Sequence, residues 1–274
     1  MILGNETLKV DTSSWVILRK FDLRRGNINR AYFCVHFSYT TSISIDWAII
    51  DYKTFDFFGM KVGKVKMPIG LYNETRDADF SLPMIFLPQS VYDESRRDIL
   101  LAYVGGGVYG NVNAGSWGDF DYHLFLGNVD FPSDSVLQAN VEKSIKSNID
   151  RNNALPPAKR NPDIPSVYGS VERDSDHVYG GAVIYNSEAI TGLRLGFSFL
   201  HSKYETFVNG SSQPSCDTVI HGRFVISADY SWKDFVFVSE YSEVDRTSTN
   251  FGKVNLDGPS QAWYGMVSYS PFEQ

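Results

Sequence analysis

Charged side chains recur on one face of the strands that the sequence predicts, and such a face suits a water-lined passage. Asp119, Asp121 and His123 alternate with large apolar residues at 120, 122 and 124, so a period of two places the two sets on opposite faces. A packed core could not hold so many unpaired charges, because burying each one costs several kcal/mol. The alternative is the solvated face of an open sheet. The residues predicted on the pore wall are Lys64, Lys66, Asp119, Asp121, His123, Arg194, Arg223, Asp229 and Glu240.

A second group of charges lies in the segment 68–98, which begins where Pro68 ends a strand-like run. The segment is long and irregular, yet it contains many large apolar side chains, which argues against disorder. We predict that it folds inward and narrows the pore, with a packed surface loop as the alternative. The signs of its charges are mixed, so ion preference stays open, although Lys64 and Lys66 favour anions. The residues predicted at the constriction are Arg76, Asp77, Asp79, Glu94, Arg96 and Arg97.

Signals for catalysis are poor. The sequence has no G-x-S-x-G, H-E-x-x-H, P-loop or C-x-x-C pattern, and its two cysteines, Cys34 and Cys216, have no metal-site spacing. His123 and His201 have polar neighbours that could complete a triad, but isolated histidines on strands are usually wall residues. We therefore predict that the protein is not an enzyme, and we expect no cofactor and no metal.

The elements that would position these residues are strands. Clean alternation marks 119–126, 193–200 and 223–232, and weaker signals mark 31–41, 43–52, 59–67, 99–110, 177–185, 235–243 and 262–270, with 14–20 doubtful. The connections alternate in length: those at 68–98, 128–176, 204–219 and 244–261 are predicted long, and those between them short. Short turns on one side and long extracellular loops on the other are typical of outer-membrane barrels.

The longest connection, 128–176, is predicted to be an extracellular loop with one helix. Ser133 or Asp134 would cap it, and Leu137, Val141, Ile145 and Ile149 follow at four-residue spacing.

Composition sets further limits. No run of about 18 apolar residues exists, so no membrane-spanning helix is expected, whereas barrel strands escape this test. The net charge of −7 argues against nucleic acid as a partner. The start of the chain lacks the apolar core of a signal peptide, and the chain ends directly after a strand-like run. We therefore expect a fragment, truncated at both ends.

The run KVGKVKMPIGLYNETRDADFSLPMIFLPQSVYDESRRD, residues 61–98, resembles a motif of Gram-negative outer-membrane porin-like proteins related to the phosphate-selective porins. The matching positions are Pro68, residues 70–77, residues 87–90 and Tyr92. The resemblance implies a barrel with one loop folded into its lumen, and it is consistent with a larger, homotrimeric assembly. Residues 1–30 match poorly, and no substrate is carried over.

These observations predict an all-β fold, a transmembrane antiparallel β-barrel of which about ten or eleven strands are present, as a single domain over 1–274. The predicted function is an outer-membrane porin that allows passive diffusion through a water-filled lumen. Its expected partners are outer-membrane lipid, small hydrophilic solutes or ions, and further copies in a homotrimer. The alternative is a soluble or periplasmic β-rich protein that binds carbohydrate on its aromatic surface.

Overall fold

The computed structural model describes residues 5–9, 14–19, 30–37, 43–76, 84, 87–133 and 135–269, with side chains from residue 48 onward. The strands are β1 (Asn5–Lys9), β2 (Ser14–Arg19), β3 (Arg30–Phe37), β4 (Ile43–Phe55), β5 (Phe58–Lys66), β6 (Ala102–Asn113), β7 (Gly118–Asn128), β8 (Val171–Ser187), β9 (Leu193–Val208), β10 (Cys216–Trp232), β11 (Phe235–Asn250) and β12 (Lys253–Tyr269). The α-helices are α1 (Arg97–Leu101) and α2 (Val136–Ala154), and single 3₁₀ turns occur at Glu94–Arg96, Gly115–Trp117 and Pro157–Lys159.

All described strands form one sheet in which each pairs antiparallel with the next along the chain. This up-and-down order confirms the predicted fold class, an all-β antiparallel barrel sheet. The described chain contains twelve strands rather than ten or eleven. The additional strand is β1, whose sequence NETLK is too short and polar to produce an alternation signal.

Two of the predicted long connections are wrong. β9 continues to Val208 and β11 to Asn250, so 209–215 is all that separates β9 from β10, and a tight turn at Phe251 and Gly252 joins β11 to β12. The tips of these strands carry polar residues on both faces, for example Asp245 and Arg246. The backbone ladder continues there without any apolar alternation, which is why the sequence pattern ends too early.

The outer face of the sheet carries a band of exposed large apolar side chains. Along β7 the outward residues Phe120, Tyr122, Leu124 and Leu126 follow one another, which spans about 20 Å at roughly 6.8 Å per outward residue. Neighbouring strands continue the band with Met60, Val62, Val104, Tyr179, Val183, Leu195, Phe197, Phe224, Ile226, Phe237 and Val267. Toward the long-loop side the band gives way to polar residues at the same level, namely Lys64, His177, His201, His221 and Glu243.

The inner face curls around the segment 67–101, which connects β5 to β6. The backbone N–H of Gly70 donates to Ser198 Oγ on β9 at 3.0 Å, and that of Leu71 donates to Glu240 Oε1 on β11 at 2.9 Å. A segment that leaves β5 can contact strands four and six positions away only if the sheet wraps around it. The main apolar core lies here, where Ile69, Leu71 and Val91 are buried against inward residues such as Val225 and Val238.

A second, smaller core lies on the long-loop side. Ile145 and Ile149 of α2 pack against Val171, Val208 and Phe251, so the predicted helix stripe is the face that packs. Ser135 caps the helix by accepting a hydrogen bond from the Gln138 backbone, so the predicted cap, Ser133 or Asp134, is wrong by at least one position. No helix in the described part of the chain is both long and apolar enough to span a membrane.

Candidate pore constriction

Glu240 is the main attachment point of the 67–101 segment. Its side chain is 1 % exposed, and its Oε1 accepts hydrogen bonds from the Leu71 backbone at 2.9 Å and from Ser227 Oγ at 2.7 Å. Tyr264 Oη donates to Oε2 at 2.6 Å. A buried carboxylate is tolerated where several donors replace its lost water, so Glu240 joins the segment to β10, β11 and β12.

Arg223 provides a second attachment. It is 5 % exposed, and one terminal nitrogen donates to the carbonyl oxygen of Val91. Sequence analysis placed Glu240 and Arg223 on a water-lined wall, but both lie beneath the inward segment instead. The pattern correctly identified the inner face, but it could not show that a segment more than 100 residues away in sequence covers these two positions.

The segment is also braced internally. Asn73 Nδ2 donates to the carbonyl oxygens of Met67 at 2.8 Å and Leu100 at 2.7 Å, which ties the two ends of the segment together. Arg76 is 6 % exposed and donates to Asn73 Oδ1 at 3.3 Å and to Glu94 Oε1 at 2.5 Å. Arg76 therefore stabilises the loop, whereas Glu94 keeps half of its side chain exposed.

The ring of Tyr92 packs in the same region. Its hydroxyl oxygen accepts a hydrogen bond from the Tyr72 backbone at 3.0 Å. Burial, together with the charge of Glu240, holds the pKa of Tyr92 well above its usual range. Tyr92 therefore stays a neutral packing residue.

A cavity of about 220 Å³ with charged side chains in its lining lies between the segment and the walls of β4 to β8. His123 is part of the lining, with Nδ1 3.7 Å from Glu74 Oε1 and Nε2 3.3 Å from Tyr103 Oη. Lys61 Nζ lies 4.5 Å from the centre of the Tyr109 ring. Packing around the Glu74 carboxylate raises its pKa, but the close contact with His123 and the charges of Lys61 and Lys66 outweigh this and hold it below its usual range.

The remaining predicted wall residues have partners of their own. Asp119 and Asp121 both accept from the side-chain amides of Asn111 and Asn186 at 2.8–3.2 Å. Arg194 forms an ion pair with Asp229 at 2.7 Å on the neighbouring strand. These groups lie on the inner face, on the same alternation as His123 and Ser198.

Lys64 was predicted on the inner face of β5, but it lies on the outer face. It shares that face with exposed Met60 and Val62, and its Nζ forms an ion pair with Asp130 at 3.2 Å. The inward lysine of β5 is therefore Lys61, which lies across from Gly107 in the same register as inward Phe125. Alternation counted from Gly59 could have found it.

The remaining predicted site residues contact the 67–101 segment or belong to it. Lys66 Nζ reaches the segment and donates to the carbonyl oxygen of Glu74 at 2.9 Å. Arg96 lies 3.5 Å from Asp93 and Arg97 lies 3.9 Å from Glu94, so these arginines contact the segment's own carboxylates. Asp77 and Asp79 fall outside the described residues.

A basic cluster on the long-loop side of the segment was predicted only in part, because Arg96 and Arg223 were among the predicted site residues and Arg173 and Arg246 were not. It comprises Arg96, Arg173, Arg223 and Arg246, whose charges act on Tyr204 or on one another. The Arg173 guanidinium lies 4.3 Å from the Phe131 ring centre, and its Nε and Nη1 make no hydrogen bond within the described chain. Arg173 and Arg246 lie in stretches predicted to be loops, so no alternation pointed to them.

Comparisons with known proteins find a likeness to solved structures but none to a protein family. No family model matches the chain, and no curated protein matches it. A similar solved structure is OmpTΔL8, a loop L8 deletion mutant of OmpT, an outer membrane protein of Vibrio cholerae. The likeness covers 97 % of this chain and 78 % of that one, with 11 % identity and a TM-score of 0.36. At this identity and TM-score the likeness supports no conclusion about function, and it gives no support to a specific relation with phosphate-selective porins.

The prediction that the protein is not an enzyme requires correction. It rested on the absence of sequence motifs, and the antiparallel up-and-down sheet found here is a fold that does not restrict function to transport. Motifs recognised by spacing along the chain also miss sites that are assembled from different strands, so their absence carries no conclusion about catalysis.

Proposed function

We propose that this chain forms an outer-membrane porin that lets small hydrophilic solutes or ions diffuse through a water-filled lumen narrowed by the 67–101 segment. The observation that carries the proposal is the contrast between the two faces of one sheet. Large apolar side chains are exposed on the outer face, while ionic groups and an anchored loop occupy the inner face. Such a contrast suits lipid outside and water inside.

The inward segment divides the proposed path into two differently charged parts. On the long-loop side, the basic cluster of Arg96, Arg173, Arg223 and Arg246 would produce a positive potential that favours entry of anions. On the short-turn side, the cavity mixes Lys61 with Glu74 and Asp121. We expect the basic cluster to set a preference at its own mouth, because its four arginines outnumber the Asp93 carboxylate that acts on them.

The proposed location is the bacterial outer membrane, with lipid against the apolar band. The band spans about 20 Å along β7, which at the ~40° tilt typical of barrel strands is about 15 Å of height, short of the ~25 Å apolar height typical of outer-membrane barrels. A homotrimer stays a prediction, to be tested by native mass spectrometry of the detergent-extracted protein.

Reconstitution into a planar bilayer tests the proposal. The protein should be expressed with whatever its reading frame encodes on either side of these residues, and its fold checked by circular dichroism. We expect discrete conductance steps whose size grows with salt concentration. Folded protein that inserts into vesicles but conducts nothing would refute the porin proposal, and protein that folds in plain buffer without detergent would favour the soluble carbohydrate-binding alternative.

A further inference from the structure

Two histidines face one another on the outer surface, just beyond the apolar band on the long-loop side. His177 lies on β8 and His201 on β9, and their Nε2 atoms are 3.2 Å apart, with ring planes 11° from parallel. Tyr179 stacks on the ring of His201 at 4.7 Å between centres, which holds that ring in place. The His177 side chain is 42 % exposed, so the pair is reachable from solvent.

The other nitrogen of each ring determines where the protons are. His201 Nδ1 lies 3.1 Å from the carbonyl oxygen of His221, which can only accept, so this Nδ1 carries a hydrogen. His177 Nδ1 lies 3.3 Å from Asp176 Oδ2, and a carboxylate also accepts. A neutral imidazole has one N–H, so each Nε2 presents a lone pair to the other.

Two lone pairs 3.2 Å apart repel unless a cation lies between them. Zinc–nitrogen bonds are about 2.0–2.1 Å long, and two such bonds across 3.2 Å enclose an angle of roughly 100°, close to the tetrahedral value. Metal-binding histidines typically donate their second N–H to a carboxylate or a backbone carbonyl, the two partners found here.

The surrounding charges permit a bound cation. Asp176 contributes a carboxylate next to His177, and the nearby cation, Lys203, is paired with Asp176 at 3.3 Å and Glu205 at 2.7 Å. No group of three or more His, Cys, Asp or Glu residues in the described chain could hold a metal. The protein would therefore supply two ligands, and water would complete the coordination.

We propose that His177 and His201 form a two-histidine site for a divalent transition-metal ion of the Zn²⁺ or Cu²⁺ class on the outer surface of the barrel. His177 and His201 are the ligands, and Asp176 is a positioning residue. The proposal is independent of transport, since the pair lies on the face opposite to the lumen.

Electron paramagnetic resonance of the untagged, detergent-solubilised protein titrated with Cu²⁺ tests the site. We expect one equivalent of Cu²⁺ with hyperfine structure from two imidazole nitrogens. His177→Ala and His201→Ala should each lose the two-nitrogen signal. His221→Ala is the matched control and should keep it, because His221 contributes its backbone oxygen and directs its own ring toward Thr247.

Asp176→Asn should keep the two-nitrogen signal and weaken Cu²⁺ binding by about tenfold, as expected for loss of an outer partner. Circular dichroism establishes that every variant is folded. The proposal is overturned if the folded wild type shows no two-nitrogen Cu²⁺ signal, or if His177→Ala and His221→Ala bind Cu²⁺ alike. In either case the two rings share only a proton.

Discussion

Replacing Glu240 should release the inward segment from the wall. Three hydrogen bonds end on this buried carboxylate, from the Leu71 backbone, Ser227 Oγ and Tyr264 Oη. Of these three bonds, only the one from Leu71 joins the segment to Glu240, because Ser227 and Tyr264 lie on the wall strands β10 and β12. Glu240→Ala should therefore cost about 1.5–3 kcal/mol of loop attachment, the range for one hydrogen bond to a charged acceptor. That corresponds to a rise of roughly 10- to 150-fold in the open population of the segment.

Trypsin cleavage after Arg76 provides the assay, because the Arg76 side chain is 6 % exposed and must leave its buried position before the protease can bind it. Cleavage rates track the open population when opening is fast relative to cutting. We expect Glu240→Ala to be cut at this bond at least about 10-fold faster than the wild type, with Glu240→Gln in between because its amide keeps one acceptor oxygen.

Glu243→Ala is the matched control. Glu243 is a carboxylate on the same strand but the opposite face, where it accepts from Tyr241 and Gln261. If Glu240→Ala and Glu243→Ala were cleaved after Arg76 at the same rate, the attachment would be refuted. This outcome would not depend on whether the protein conducts ions.

Three further predictions concern charge, lipid and pH. Arg173→Glu in the basic cluster should shift the reversal potential measured in a salt gradient toward that of a cation-selective pore. Lys159→Glu, on the exposed 3₁₀ turn, should leave the reversal potential unchanged. Equal shifts in the two variants would contradict a role for the cluster. Phe197→Arg in the apolar band should lower the free energy of unfolding, measured with urea in vesicles, by roughly 2–4 kcal/mol. Phe57→Arg at the short turn should lower it by about 0–1 kcal/mol. Equal losses would mean that the band does not face lipid. Because the pKa of Glu74 is held below its usual range, its ionised form stabilises the fold above the unfolded-state pKa, and this contribution is lost as the pH falls through the lower folded-state pKa. Glu74→Gln should therefore flatten the acid limb of stability measured by urea unfolding, and an unchanged acid limb would contradict the assigned shift.

The parts of the fold that sequence analysis predicted correctly are those where one face meets lipid and the other does not. Leu195, Phe197 and Phe199 alternate with smaller or polar residues, and β9 follows the predicted alternation there. Beyond Phe199 the outward residues are His201, Lys203 and Glu205, so the contrast between faces disappears although the strand continues. Strand ends in water therefore cannot be located from alternation alone.

The site was harder to predict because burial depends on long-range packing. Arg223 and Glu240 are charged residues on the inner face, and alternation alone gives them the same pattern as Asp121. They are buried because Val91 and Leu71, far away along the chain, pack over them. Lys64 was assigned to the wrong face for a different reason. Lysines at 61, 64 and 66 occur on both faces of β5, so the position of the charges does not show which face points inward.

The central claim is that the outer face meets lipid and the inner face meets water, and site-directed spin labelling on one strand tests it directly. In a background lacking Cys34 and Cys216, nitroxides attached at Leu124→Cys and Asp121→Cys would be compared in vesicles for collision with oxygen and with a water-soluble nickel chelate. These positions lie three residues apart on β7, on opposite faces. The account predicts that position 124 collides mainly with oxygen and position 121 mainly with the chelate; the reverse order, or no difference, would contradict it.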